Sequence, residues 1–275
     1  GPRHVDVDRH ADRRRGAGAG GKLLRTAATQ GTRIRRTGPG LNRPMDKTEC
    51  GAKAVAGQSL QVLFVHGMGR SPLSGWPLLW RLKRAGLRTH AFGYAVTASD
   101  FSSIAGRLVD RMEELARHGH YIVIGHSLGG VLLREAIARL QPDGIKPRHL
   151  FLLGSPIQAA RLAQGLRYNP IFRMLTRDCG QLLGSGQRMR EINPIDIAVT
   201  AVTGNRGAPK VFPPFKGEPN DGIVSASETS AEWITDRVEL PLVHTLLPSS
   251  LRVADAILER LESTLSARSK GAPRF

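Results

Sequence analysis

Residues 121–133 read Tyr-Ile-Val-Ile-Gly-His-Ser-Leu-Gly-Gly-Val-Leu-Leu. A β-branched apolar run ends in Gly125-His126-Ser127-Leu128-Gly129, and an apolar helical pattern starts at once. A strand that turns into a helix within so few residues forces the turn residue into a strained backbone conformation. Bulk at 125 or 129 would collide with the turn. The strain lifts the Ser127 hydroxyl above the end of the strand and leaves the Leu128 N–H beside it, where it can donate to a developing oxyanion.

The surrounding pattern says which fold carries this turn. Strands are predicted at Gln61–Val65, Arg88–Phe92, Tyr121–Ile124, His149–Leu153, Asp196–Val202 and Val238–Val243. Helices are predicted at Trp76–Ala85, Phe101–Arg117, Ser127–Leu140 and Leu251–Leu265. In the second helix Ile104, Leu108, Met112 and Leu115 form one stripe. In the last, Leu251, Ala254, Ile257, Leu258 and Leu261 do. Alternating strands and helices imply βαβ units, and near-continuous apolar strands imply a sheet covered on both faces. The expectation is an α/β fold with about six mostly parallel strands. Its site should lie at their carboxyl ends, which singles out the loops at 66–75, 93–100, 125–129, 154–160, 203–225 and 243–247. Residues 155–194 form a long insertion between the fourth and fifth strands. It mixes apolar residues with six arginines against one aspartate, Asp178, and reads as a short helical cap.

The chain of 275 residues carries a net charge of +17, which invites a nucleic-acid reading. The distribution argues otherwise. Residues 1–44 hold 11 Lys and Arg against 3 Asp, so nearly half of the excess lies in about a sixth of the chain. That segment is rich in Gly and Arg, lacks periodicity, and has too little apolar surface to offset its ordering entropy. It is read as an unstructured basic extension preceding a single domain at 45–275, either extraneous to that domain or a basic arm. No specific nucleic-acid partner is expected; an anionic membrane surface is the peripheral contact that the charge allows. Cys50 and Cys179 are the only cysteines and fit no metal-ligand spacing, so a cytoplasmic compartment is expected.

A serine needs a base, and the base needs a carboxylate to hold its tautomer. Of nine histidines, His4 and His10 lie in the extension. His90, His118, His120 and His149 lie away from the carboxyl edge, and His66 and His126 are held in tight turns. His244, after the last strand, is the candidate base. Asp221, in Asn220-Asp221-Gly222-Ile223-Val224, is the candidate acid, with Glu218 its competitor. Asp196 and Asp236 fall at the wrong ends of their strands. After the first strand, His66-Gly67-Met68-Gly69 lies about 60 residues before the turn. Its glycines let the backbone approach substrate, so the Met68 N–H is the expected partner of the Leu128 N–H in an oxyanion hole.

These pieces, together with Leu153-Gly154-Ser155-Pro156, resemble the α/β-hydrolase superfamily, and within it the small bacterial lipases and esterases. The resemblance spans residues 61–247. It implies a serine hydrolase cleaving carboxylic esters through Ser127, His244 and Asp221, with no metal or cofactor. It places Gly154-Ser155-Pro156 at the site. His66, Gly67, Trp76, Pro156, Phe172 and Phe215 are the expected substrate contacts, and the substrate is expected to be a small or lipid-like ester. An acyltransferase or thioesterase would use the same triad. A non-catalytic hydrolase fold that binds anionic partners is the reading from a different class.

Overall fold

In a computed structural model, residues 60–209, 213–215 and 217–269 are described, with side chains through 264. The expected extension at 1–44 lies outside them, as does Cys50. Six strands form one sheet: β1 (Gln61–Val65), β2 (Arg88–Phe92), β3 (Tyr121–His126), β4 (Leu150–Leu153), β5 (Val199–Gly204) and β6 (Asp236–Leu240). All pairings are parallel, in the order β2-β1-β3-β4-β5-β6. The chain runs outward from β1 to β2, then returns to lay β3 on the other side of β1. That reversal opens a crevice between the carboxyl ends of β1 and β3, the place where open α/β sheets bind ligands. The loops there are His66–Gly69 and the Ser127 turn.

Strand periodicity sorts the core into two layers. Leu63, Val65, Tyr121, Val123, Leu150 and Leu152 face one side; Val62, Phe64, Ile122, Ile124, Phe151 and Leu153 face the other. Helices α2 (Phe101–Arg117) and α3 (Leu128–Arg139) cover the first layer, and α1 (Trp76–Arg84) and α7 (Leu251–Ser269) the second. The stripe read in α2 is the buried one: Ile104, Leu108, Met112 and Leu115 are all shielded from solvent. Burying each such side chain stabilises the fold by roughly 1.5–3 kcal/mol. Asp100 caps α2 by accepting the Ser103 N–H at 2.7 Å.

Several boundaries differ from expectation, most clearly β5, which is Val199–Gly204 rather than Asp196–Val202. The sixth strand runs Asp236–Leu240 rather than Val238–Val243; beyond it the Leu242 N–H turns back to Leu240 O (2.7 Å) instead of pairing with β5. In α7 the buried stripe is Val253, Ala254, Ile257, Leu258 and Leu261; Leu251 opens the helix and is exposed. The insertion after β4 consists of α4 (Arg161–Leu166), α5 (Pro170–Leu183) and α6 (Gly186–Glu191). Ala163, Cys179, Leu182, Leu183 and Met189 anchor it to the α2–α3 layer. Within α5, Arg177 is non-helical (φ 45°, ψ −133°), a kink between an exposed first half and a buried second half.

Candidate active site

Ser127 is at φ 53° and ψ −123°, one of two non-glycine residues at positive φ among the described residues. Its N–H donates to Leu153 O (2.9 Å), and its carbonyl accepts the Gly130 N–H (3.0 Å). These bonds hold the turn from both sides. A Cβ on Gly125 would overlap the Gly130 backbone, and one on Gly129 would overlap the carbonyls of Val65 and His66. The two glycines therefore let α3 start directly against β1 and β3. As the first residue of α3, Leu128 has an N–H with no partner in the preceding turn.

The structure brings together Asp221 and His244, the candidate acid and base. Asp221 Oδ2 accepts His244 Nδ1–H at 2.7 Å, and both residues are buried. The other carboxylate oxygen accepts the N–H groups of Ile223 and Val224, each at 2.9 Å. The backbone is tied as well, with His244 N donating to Asp221 O at 2.8 Å. Asp221 thus has one orientation, and His244 has the tautomer that leaves Nε2 as its basic nitrogen. Glu218 is elsewhere engaged, paired with Arg161 at 2.9 Å. Its hydrogen bonds from Ser227 and Arg161 hold its carboxyl down at about 2.

His126 joins the two halves. Its Nε2–H donates to the His244 carbonyl at 3.1 Å, and its ring lies 4.7 Å from the His244 ring. Burial, then the neighbouring His244, depresses its pKa well below the usual imidazole value, so the ring is neutral. Its Nδ1 faces the 66–69 loop: a Cβ on Gly67 would lie 2.8 Å from that nitrogen and 3.1 Å from Ser127 Cβ. On the opposite side is Gly154 (φ 54°), where a Cβ would lie 2.9 Å from Asp221 Oδ2 and 3.0 Å from His244 Nδ1. The end of β4 fits against the Asp–His pair only because residue 154 is glycine.

Three comparisons follow from this geometry. The thioesterase domain family matches residues 84–191, less than half of the chain. Among solved structures, the mature lipase BlEst2 of Bacillus licheniformis aligns with a TM-score of 0.55 at 14% identity, covering 74% of this chain and 91% of that one. The RedJ thioesterase from the prodiginine biosynthetic pathway in Streptomyces coelicolor aligns at 0.53 and 18% identity, covering 83% and 91%. The protein has the α/β-hydrolase fold. Phospholipase PlaB from Legionella pneumophila aligns at 0.56 and 15% identity, covering 77% of this chain and 62% of that one. No curated protein matches the sequence.

The α/β-hydrolase frame separates the expected substrate contacts. Trp76, at the start of α1, is 62% exposed. Gly67 borders Ser127. Pro156 is buried behind the turn, and Phe172 packs partly against the core. Two expectations are corrected. Phe215 is fully buried. His66 is buried with both ring nitrogens engaged: Nδ1–H donates to Gly67 O (2.9 Å), and Nε2 accepts the Tyr94 N–H (3.4 Å). Neither side chain has a face left for a ligand. Met68 is partly buried against the core.

Two positioning residues escaped the sequence reading. Buried Glu228 accepts the N–H of Ser225 (2.7 Å) and that of Arg161 (2.6 Å), tying the Asp221 loop to the start of the insertion. Its signal was Ser225-Ala226-Ser227-Glu228, the spacing of a capping box. Arg134, buried in α3, donates to Ile157 O (3.3 Å) and Ile192 O (2.9 Å), so one guanidinium holds both ends of the insertion. Burial lowers its pKa to about 10. A buried arginine without a carboxylate has no sequence signature, because its partners are carbonyls.

Proposed function

We propose that this protein is a serine hydrolase that cleaves carboxylic esters by acyl transfer. The observation that carries the reading is the buried Asp221–His244 pair, with the His244 carbonyl bonded to His126, the residue preceding a serine at positive φ. Ser127 Oγ attacks the acyl carbon while its proton passes to His244 Nε2. Asp221 holds Nδ1–H and stabilises the imidazolium. The Leu128 and Met68 N–H groups receive the oxyanion. His244 then protonates the leaving alcohol, takes a proton from water, and the hydroxide releases the acid from Ser127.

A thioester substrate is the second reading, favoured by the thioesterase domain match over 84–191, which includes the serine turn. The test is labelling with a fluorophosphonate probe, with Ser127→Ala as control, followed by p-nitrophenyl esters and thioesters of matched chain length. A wild type that does not label would overturn the proposal. A thioester preference above about tenfold would move it to the second reading.

The insertion also supports contact with an anionic lipid surface. Ile171, Met174 and Leu175 share one face of α5 and are 62%, 65% and 55% exposed. Arg167 and Arg173 flank them without an ion pair among the described residues. Apolar residues flanked by unpaired arginines suit an anionic bilayer interface. Co-sedimentation with phosphatidylserine vesicles should fall at least fivefold in Ile171→Asp/Met174→Asp. Equal binding by both proteins would refute the contact.

A further inference from the structure

We propose that Tyr94 is a positioning residue that holds the 66–69 loop in the shape its oxyanion donor requires; this rests on the acyl-transfer reading. Tyr94 lies in the loop two residues beyond β2, the strand next to β1, and grips His66 in three ways. Its hydroxyl donates to the His66 carbonyl at 2.8 Å. Its backbone N–H donates to His66 Nε2 at 3.4 Å. The two rings stack at 4.3 Å with 4° between their planes. His66 in turn donates from Nδ1 to Gly67 O at 2.9 Å. The peptide that links residue 67 to Met68 is therefore oriented by a chain of contacts that begins at Tyr94.

The protonation states fit. Burial lowers the pKa of His66, which keeps Nε2 an acceptor, and burial raises that of Tyr94 well above the phenol value, which keeps the hydroxyl a donor. Within the loop the Arg70 N–H also donates to Gly67 O at 3.2 Å, a turn bond that the contacts from Tyr94 and His66 reinforce. Gly67 and Gly69 flank Met68, and Gly69 is at φ 68° with nothing near its missing Cβ. A loop of two glycines gains part of its rigidity from outside, and an oxyanion donor works only if its N–H is aimed before the charge develops.

A second tyrosine supplies the control. Tyr121 begins β3, and its hydroxyl donates to Ile145 O at 2.9 Å, a similar bond at the amino end of the sheet. Tyr94→Phe and Tyr121→Phe each delete one oxygen and one hydrogen bond to a carbonyl. The readouts are kcat and KM for p-nitrophenyl butyrate, Ki for butylboronic acid (whose tetrahedral serine adduct places an oxygen in the oxyanion hole) and Tm. Tyr94→Phe should lower kcat about tenfold with KM within twofold, and raise the boronate Ki about tenfold. Tyr121→Phe should leave kcat and Ki unchanged, whatever its Tm. Unchanged kcat and Ki in Tyr94→Phe would overturn the proposal. So would losses that track Tm equally in both variants. A wild type that neither labels at Ser127 nor binds the boronate would instead remove the acyl-transfer reading, and this proposal with it.

Discussion

The two ends of the sheet bury polar groups in opposite ways. Toward the amino end Gln61 donates to Leu115 O (2.9 Å) and Tyr121 to Ile145 O (2.9 Å). There, too, His149 Nε2–H donates to Thr200 Oγ1 (2.9 Å), whose hydroxyl donates to Asp236 (3.1 Å), which is paired with Arg260. At the carboxyl end the non-glycine Ser127 sits at positive φ, and His126 Nδ1 is buried without a hydrogen-bond partner among the described residues. Sparsely populated backbone and an unsatisfied buried nitrogen each cost on the order of 1–3 kcal/mol. The satisfied end stabilises the sheet; the other end spends part of that stability on an arrangement suited to chemistry.

Substitutions at the two ends should therefore separate activity from stability. The largest effect is expected from Ser127→Ala, which should lower kcat by at least about 10⁴-fold and leave Tm no lower than in the wild type. A Tm drop with residual activity would mean that the strained turn is structural only. Asp221→Asn should follow, with kcat down on the order of 10³–10⁴-fold, because an amide lets His244 adopt the wrong tautomer. Steady-state hydrolysis of p-nitrophenyl esters reads both. Gly154→Ala combines a strained φ with a Cβ inside van der Waals distance of Asp221 and His244. It should cost roughly 2–4 kcal/mol in urea unfolding, and activity as well. If activity persisted, the end of β4 would not be confining the pair.

The same contrast explains what was legible in the sequence. The β1, β2 and α2 boundaries coincide with their apolar periods, because burial on a regular element leaves a regular trace. The tight Ser127 turn and the Asp221–His244 contact were legible because glycine-rich turns flank Ser127 and Asp221 and strand order places His244. The expectation of His66 as a substrate contact fails for a physical reason: the sequence puts it in the right loop but cannot show that Tyr94, from the loop after β2, occupies its ring. Phe215 fails similarly, since an aromatic residue in a loop signals a pocket or a core plug equally well. Glu228 and Arg134 act on backbone groups far away in the chain, and backbone partners leave no residue-type pattern to read.

The smallest predicted effect belongs to the amino end and appears only with pH. Burial, its largest cause, lowers the His149 pKa to about 4; Asp236 opposes the shift and Arg260 adds to it. The folded protein thus excludes a proton that the unfolded chain accepts at about 6.5. The stability this provides is fully present above about pH 6.5 and is lost as pH falls toward 4. Asp236 titrates below that window: burial pushes its carboxyl up, but bonds from Arg260 and Thr200 bring it net below the ordinary value. His149→Leu removes the dependence. At pH 7.5 it should be less stable by about 1 kcal/mol, having lost the bond to Thr200. By pH 4.5 the wild type should have lost on the order of 2 kcal/mol that the variant does not lose, so the order of the two reverses. Urea unfolding at the two pH values measures this, and kcat at pH 7.5 should match the wild type. A variant that stays the less stable of the two at pH 4.5 would show that the amino end accommodates a charged His149, and the division between a satisfied end and a strained one would be less sharp than the hydrogen bonds imply.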